Sequence, residues 1–376
     1  MDFAFSEEQE EFRATLRRFL AEHGSMPEGR RAFASADGFD RALWKRMSEE
    51  LGLQGVALPE SVGGQGFGFL ELGIVQEELG RALVPGPFFA SAVLATHAIL
   101  AAGSPADQAA LLPSLARGER IATLALVETD GAWNADSVTA TCREEHGALV
   151  VDGRKPFVLD AAVADLLLVV ARRPGTRGAN GVTLVAIEAG APGVAVETAE
   201  PLDPTRRWGA VSLRGARGRA VGEPGAAAAP LARALDRATI ALAFEMVGGA
   251  ERCLEMAVAY AKERVQFGRP IGAFQAVKHK CAEVLLEVEG AKSAVRFAGW
   301  VAAEDRPELA QAASLARVAA ADAYLRASAE NVQIHGGVGF TWEYDPHLFY
   351  KRAKTSEWLL GDPIRHRARI AASLGV

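Results

Sequence analysis

The stretch from Ala234 to Gly268, ALDRATIALAFEMVGGAERCLEMAVAYAKERVQFG, constrains the fold more than any other part of the chain. Its helical pattern continues well past the roughly 8–20 residues of an ordinary globular helix. A helix of that length buries its apolar surface against other long helices. Further helical runs, at about 273–301, 307–331 and 345–373, provide them. Four such helices predict a bundle, of a kind that often extends across subunits.

The zone before this run has a different period. IATLALVE, ALVVDGRKPFVL, ADLLLVVAR, GVTLVAI and GVAVETA are short β-branched runs separated by turns such as VVDGRK and GANG. Strands at this spacing predict an antiparallel sandwich or barrel rather than βαβ units. VGEPGAAAAP, from Val221 to Pro230, reads as a linker. The first zone is helical again. Ser6 is placed to cap a helix whose first residues, Glu7 and Glu8, suit its positive end. Phe12, Leu16, Phe19 and Leu20 follow at helical spacing, and a glycine-rich loop runs from Leu51 to Gly68. The order predicts a segregated α+β fold: a helical domain at 1–117, a β-domain at 118–225 and a helical bundle at 226–376.

Composition removes several function classes. Lys and Arg total 41 against 47 Asp and Glu, so the chain lacks the basic footprint of a nucleic-acid binder. Cys142, Cys253 and Cys281 are too few and too scattered for a disulfide framework or a Cys-rich zinc site, and a reducing cytoplasm is the simplest compartment. No metal site is expected. No run approaches the roughly 18 apolar residues of a membrane span, and the acidic, amphipathic start does not read as a signal peptide.

Two segments carry the chemistry. In ERVQFGRPIGAFQAVKHK, Arg264 and Arg269 flank a Phe-Gly turn at Phe267, and Gln275 follows near a helix start. A cation, an aromatic plate and an amide together suit an anion such as a diphosphate. The plainer alternative is a helix end, with Gly268 as cap and Pro270 as stop. In ENVQIHGGVGFTWEYDP, Gln333 and His335 precede Gly336 and Gly337, whose bare backbone lets a ligand approach. By itself this run is equally well a turn, and His335 a hydrogen-bonded structural residue.

Taken in order and at this separation, YAKERVQFGRPIGAFQ and VQIHGGVGF resemble the most specific motifs of the acyl-CoA dehydrogenase family. FSEEQEEFR resembles its opening helix, LGLQGVALPESVGGQG its first glycine-rich loop, and VVDGRKPFVLDAAVADLLLVVAR its middle β-domain. The resemblance spans essentially the whole chain. It implies an N-terminal helical domain, a middle β-domain and a C-terminal four-helix bundle at a tetramer core. FAD is implied between the middle domain and the bundle, touching a neighbouring subunit. The implied reaction takes the α-proton of an acyl-CoA thioester onto a base and the β-hydride onto the flavin, which an electron-transfer flavoprotein then reoxidises. By match, Arg264, Phe267, Gln275, Gln333, Gly336 and Gly337 contact FAD. The surroundings of position 245 resemble actinobacterial dehydrogenases acting on steroid side-chain CoA esters, some of which are α2β2 assemblies with a base in only one subunit type.

Three family positions differ here. The late segment that often carries the base aligns with AKTSEWLLGDPIRHR and puts Leu360 at the base position, with Glu357 about a turn earlier and facing elsewhere. The other family location, on the long helix, falls on Ala238. Glu245 lies seven residues later, within roughly 20° of the same helix face, and is the only charged residue in TIALAFEMVGGA. It is the candidate catalytic base, against the alternative of a glutamate paired to an Arg or Lys at a subunit interface. In the β-domain, the family's flavin-covering Trp-x-Thr becomes Phe157-Val158-Leu159. Phe157 still offers a ring, whereas Leu159 offers only its backbone. The Thr-Glu-Pro strand end becomes Val127-Glu128-Thr129.

Leu83, Val84, Phe88, Phe89 and Phe244 suggest a hydrophobic acyl group, although core packing gives the same composition. The leading expectation is an FAD-dependent acyl-CoA dehydrogenase, as a homotetramer or an α2β2 heterotetramer. A non-catalytic, FAD-completing subunit is the alternative. A flavin monooxygenase or oxidase on the same fold ranks third.

Overall fold

Ser6 caps the first helix as its position predicts, accepting from the Gln9 amide while the Gln9 side chain returns to the Ser6 N–H. In this computed structural model, which describes residues 4–376, the helix α1 (Glu7–His23) buries Leu16, Phe19 and Leu20. The chain then forms α2 (Met26–Ala34), α3 (Arg41–Glu49) and α4 (Phe69–Ala82). A π-helical stretch, Phe89–Ala95, runs straight into α5 (Thr96–Ala102), and α6 (Pro105–Ala116) follows.

Seven strands come next: β1 (Ala122–Ala125), β2 (Thr141–Glu145), β3 (Ala148–Leu159), β4 (Leu166–Arg172), β5 (Val182–Glu188), β6 (Val194–Thr198) and β7 (Trp208–Val221). After them lie α7 (Ala228–Glu263), the short strands β8 (Val265–Gln266) and β9 (Arg269–Pro270), α8 (Gln275–Ala303), α9 (Leu309–His335), α10 (Pro346–Trp358) and α11 (Pro363–Ser373). The segment expected as a linker to Pro230 is shorter, because helix begins at Ala228. The helix expected over 345–373 is two helices broken at residues 359–362.

Contacts divide the chain into two units. One comprises Ala32–Gly68 and Pro85–Ala238. Its sheet runs β1-β4-β2-β3-β7-β5, with β6 on β7, and a further β4–β5 pairing closes the circuit. Barrel closure is thus realised, but the sheet is not wholly antiparallel: β1 pairs with β4 in parallel, as does β2 through Thr141 and Arg172. Every residue of β4 is buried, which accounts for its unbroken apolar run in place of alternation.

The other unit comprises Met1–Arg31 (described from Ala4), Phe69–Val84 and Thr239–Val376. Here α1 is tied to α4 by a two-pronged Arg17–Glu78 pair at 2.9 and 2.6 Å. The helices α4 and α7 meet backbone to backbone. A Cβ on Gly248 of α7 would lie 1.9 Å from the Glu77 carbonyl oxygen, and one on Gly80 of α4 would lie 2.0 Å from that of Glu245. Phe244 fills the space beside Gly73 of α4 and Gly299 of α8.

Candidate functional site

The last turn of α7 hands over to a hairpin rather than to a capped coil. Helix stops at Glu263, and β8 pairs with β9 across Phe267 and Gly268. Both turn residues have left-handed backbone, φ 53° and 76°, the requirement of a two-residue hairpin turn of type I′. The helix-cap alternative for Gly268 is therefore replaced. The hairpin carries Phe267 outward at 90% exposure. Arg269 stacks on Phe274 at 4.2 Å and leaves Arg264 and Gln275 exposed on either side.

The second motif ends α9. Gly336 has φ 66° and ψ −145°, a combination essentially reserved for glycine. Gln333, Gly336 and Gly337 are exposed, and a Cβ on either glycine would meet open space. The fold brings the two motifs together. Ala257 and Ala261 of α7 and Ile334 of α9 form one cluster, with Tyr260, Ile271, Val277 and Cys281 packed around it. Tyr260 stacks on His335 at 4.1 Å, and His335 donates to or accepts from the Asn331 carbonyl at 2.8 Å. Burial pushes the His335 imidazole below its usual pKa. His335 thus has the structural role, and it supports the glycine turn beside it.

Glu245 is buried at 4% exposure between Phe244 and Met246. Its Oε1 accepts from Arg352 Nη1 of α10 at 2.9 Å, and Arg352 is itself 4% exposed. The carboxylate is thereby compensated within its own chain, as a buried charge requires. Leu360 is buried at φ 63° and brings no carboxylate, while Glu357 pairs with Lys354 at 3.0 Å. The turn at Leu360 is held by Arg317 of α9. Its Nη2 donates to the carbonyls of Ser356, Glu357, Leu359 and Gly361 at 2.6–3.3 Å. Burial pushes this guanidinium down to about 10. His366 reaches the Leu360 carbonyl from below at 3.0 Å, and Asp362 caps α11.

In the strand-bearing unit, Phe157 lies half-exposed at a register shift between Lys155 and Val158. Leu159 is buried, and its carbonyl already accepts from Thr123 Oγ1 at 2.7 Å, so that oxygen is committed to the fold. Glu128 is also committed. It accepts from Lys155 Nζ, the Thr139 amide and hydroxyl, and the Ala140 amide. Burial raises its carboxyl, but these partners outweigh it and hold the group below its usual pKa. Burial brings Lys155 down to about 8. Among the residues read as substrate-facing, Leu83, Phe88, Phe89 and Phe244 are buried, and Phe244 is wedged between helices.

Sequence reading missed Arg352 and Arg317. A trace of Arg317 was present: it is the basic residue inside the apolar stretch SLARVAAADAY. Arg352 stands in the charged string YKRAK, where nothing local separates a buried arginine from exposed ones. Among the described residues, no group of His, Cys, Asp or Glu is arranged to hold a metal, and no helix is long and apolar enough to cross a membrane.

Three family models match the chain: acyl-CoA dehydrogenase N-terminal domain over 6–119, middle domain over 123–214 and C-terminal domain over 229–375. The chain is 35% identical to acyl-CoA dehydrogenase IpdE2 of Mycobacterium tuberculosis, over 95% of this chain and 94% of that one. Among solved structures it resembles the ChsE4-ChsE5 complex from Mycobacterium tuberculosis, with TM-score 0.89, 31% identity and coverage of 100% and 99%. It also resembles butyryl-CoA dehydrogenase from Megasphaera elsdenii, with TM-score 0.92, 26% identity and coverage of 100% of both chains.

Proposed function

The chain belongs to the acyl-CoA dehydrogenase family, and from that premise we propose that it acts in FAD-dependent α,β-dehydrogenation of an acyl-CoA thioester, with Glu245 as the base. The observation that carries the cofactor half of this reading is the convergence of the hairpin and the glycine turn on one cluster.

The residues there fit FAD by their chemistry. Arg264 supplies a permanent cation for a diphosphate. Gln275 and Gln333 supply amides, and Gly336 and Gly337 leave backbone N–H groups open to close approach. Phe267, held almost fully exposed by a left-handed backbone, is an aromatic plate that a ring system would cover. For Phe157 the proposal is contact with the flavin ring, resting on its half-exposed position at the bulge. FAD, when bound, supplies the hydride acceptor that amino-acid side chains lack.

The protein's own part is proton removal. A thioester α-proton is a weak acid, so the base has to sit close to it in a site that excludes water. Glu245 meets the second condition through burial. Its carboxylate takes the α-proton, and the two electrons leave with the β-hydrogen. The names of the relatives support a hydrophobic, steroid-like acyl group. An electron-transfer flavoprotein is the proposed acceptor and the cytoplasm the proposed compartment. The free thiols of Cys142, Cys253 and Cys281 are consistent with a reducing environment.

A second reading rests on Arg352. A carboxylate already paired at 2.9 Å is equally suited to a structural lock, with this chain completing the FAD site of a homologous catalytic subunit in an α2β2 heterotetramer. Anaerobic acyl-CoA bleaching of the flavin separates the two. Under the first reading Glu245→Gln abolishes bleaching and leaves bound FAD in place. Full bleaching by that variant refutes Glu245 as base and moves the search to the partner subunit. Rapid reoxidation of substrate-reduced protein by air would instead indicate an oxidase or monooxygenase.

A further inference from the structure

Glu245 is placed by two helices. α7 fixes its backbone, pressing the carbonyl against Gly80 of α4, where a Cβ would lie 2.0 Å from the oxygen. The carboxylate is fixed from α10, by Arg352 Nη1 at 2.9 Å on Oε1. The two residues are 107 positions apart in sequence, and both are nearly excluded from water.

We infer that Arg352 is the positioning residue for Glu245, aiming and holding ionised the carboxylate that takes the α-proton. This rests on the reading of Glu245 as the base. The argument is geometric. A glutamate has three side-chain torsions, and α7 alone fixes none of them. A planar guanidinium offers directed N–H groups, so it fixes where the carboxylate oxygen lies as well as its charge. At 4% exposure, water is not available to do either. Arg352 is also anchored where it can hold a position. It lies within α10, two residues before Lys354, and the C-terminal end of that helix is gripped by Arg317 at the Ser356 and Glu357 carbonyls. A misplacement of about 1 Å at a reacting group can cost about 100-fold in rate, so Arg352 governs rate and leaves substrate binding alone.

The test uses flavin-loaded protein in its native assembly. The probe is whichever member of a panel bleaches wild type most strongly: butyryl-CoA, octanoyl-CoA, palmitoyl-CoA or a steroid side-chain CoA thioester. Stopped-flow bleaching gives a limiting rate constant and a half-saturation concentration for each variant. Arg352→Lys keeps the charge and loses the planar fork, so its rate falls 3- to 10-fold with half-saturation changed less than threefold. Arg352→Gln loses both, and its rate falls at least 100-fold, again without a shift in half-saturation. Should Arg352→Gln not yield folded protein, the lysine variant decides alone. A wild-type rate in either variant overturns the inference, as does a rate effect accompanied by an equal shift in half-saturation.

A melting cycle reads the pair without turnover. Glu245→Gln/Arg352→Gln melts above Arg352→Gln alone if the pair exists, and additive shifts overturn it. The failures stay separate. If Glu245→Gln bleaches at the wild-type rate, or nothing in the panel bleaches wild type, the base assignment falls and takes this inference with it. If Glu245→Gln is inactive while Arg352→Gln is not, only the role of Arg352 falls.

Discussion

The crossing of α4 and α7 allows one substitution to be predicted with opposite signs at two places. Gly248 lies where a Cβ would stand 1.9 Å from the Glu77 carbonyl oxygen, although real Cβ contacts essentially never fall under 3.0 Å. Gly248→Ala therefore forces the two helices apart by more than 1 Å. The obstacle is backbone, so no rotamer change relieves it. Overpacking of a core costs about 1–3 kcal/mol, and a rigid backbone contact belongs at or above the upper end. Alanine returns about 1 kcal/mol of helix propensity. The net loss is about 2 kcal/mol or more. Gly290, inside α8, is exposed, and a Cβ there would have nothing within 4 Å of it. Gly290→Ala meets no obstacle and gains about 0.5–1 kcal/mol. At about 2 °C per kcal/mol for a chain of this size, Gly248→Ala melts roughly 4 °C or more below wild type, whereas Gly290→Ala melts about 1–2 °C above it. Scanning calorimetry on the three proteins measures both. Shifts of the same sign, or a Gly248→Ala midpoint within 1 °C of wild type, would refute the close-approach argument.

Other predictions concern the turn at Leu360, acid stability and cofactor retention. Arg317→Met strands the carbonyls gathered by Nη2, and because one nitrogen carries two hydrogens the loss is that of about two charge-assisted bonds. Relief of burying a guanidinium offsets part of it, leaving a loss of about 2–4 kcal/mol; faster hydrogen exchange across residues 359–362 should accompany it, and unchanged exchange would count against the grip. His97 and His366 are both pushed down to about 4 by burial, from 6.5. The unfolded chain takes up these protons first, so their stabilisation is full above about pH 6.5 and is lost as pH falls towards 4, by about 3 kcal/mol for each. Chemical denaturation from pH 7 to 4 should show that slope, and His366→Gln should flatten it. Gly336→Val places a β-branched residue at φ 66°, ψ −145°, and purified protein should carry less than about half the wild-type flavin, read from the 450 nm to 280 nm absorbance ratio; a full flavin complement would break the link between this turn and FAD.

Local rules make much of this fold readable. A serine followed three residues later by a glutamine announces α1, and the long apolar period announces α7. The break at residues 359–362 is also written locally, as Gly-Asp-Pro: left-handed glycine, capping aspartate, proline at the first helical position. The helical period on either side overrides it. The Phe-Gly hairpin and a helix end read alike, because both use a glycine at positive φ. What sequence withholds is long-range. The β4–β5 pairing that closes the barrel and the Arg352–Glu245 contact join residues whose separation no periodicity encodes. Burial of Arg317 is of the same kind, since its partners lie about 40 residues onward.

The order in which the chain is made gives the scattered unit a history. Its first two pieces end by Val84, and its third begins only at Thr239, about 155 residues later. At a synthesis rate of about 5–20 residues per second, α1 and α4 wait roughly 8–30 s for α7. Through that interval the face of α4 that carries Gly73, Gly80 and the buried Glu77 and Glu78 is without the helix it is shaped to meet. All of the barrel unit has emerged by Ala238, so it is the part able to fold first. The Arg17–Glu78 pair acquires a use in this light. It lies wholly within the early pieces and can hold α1 on α4 while their common partner is still being synthesised.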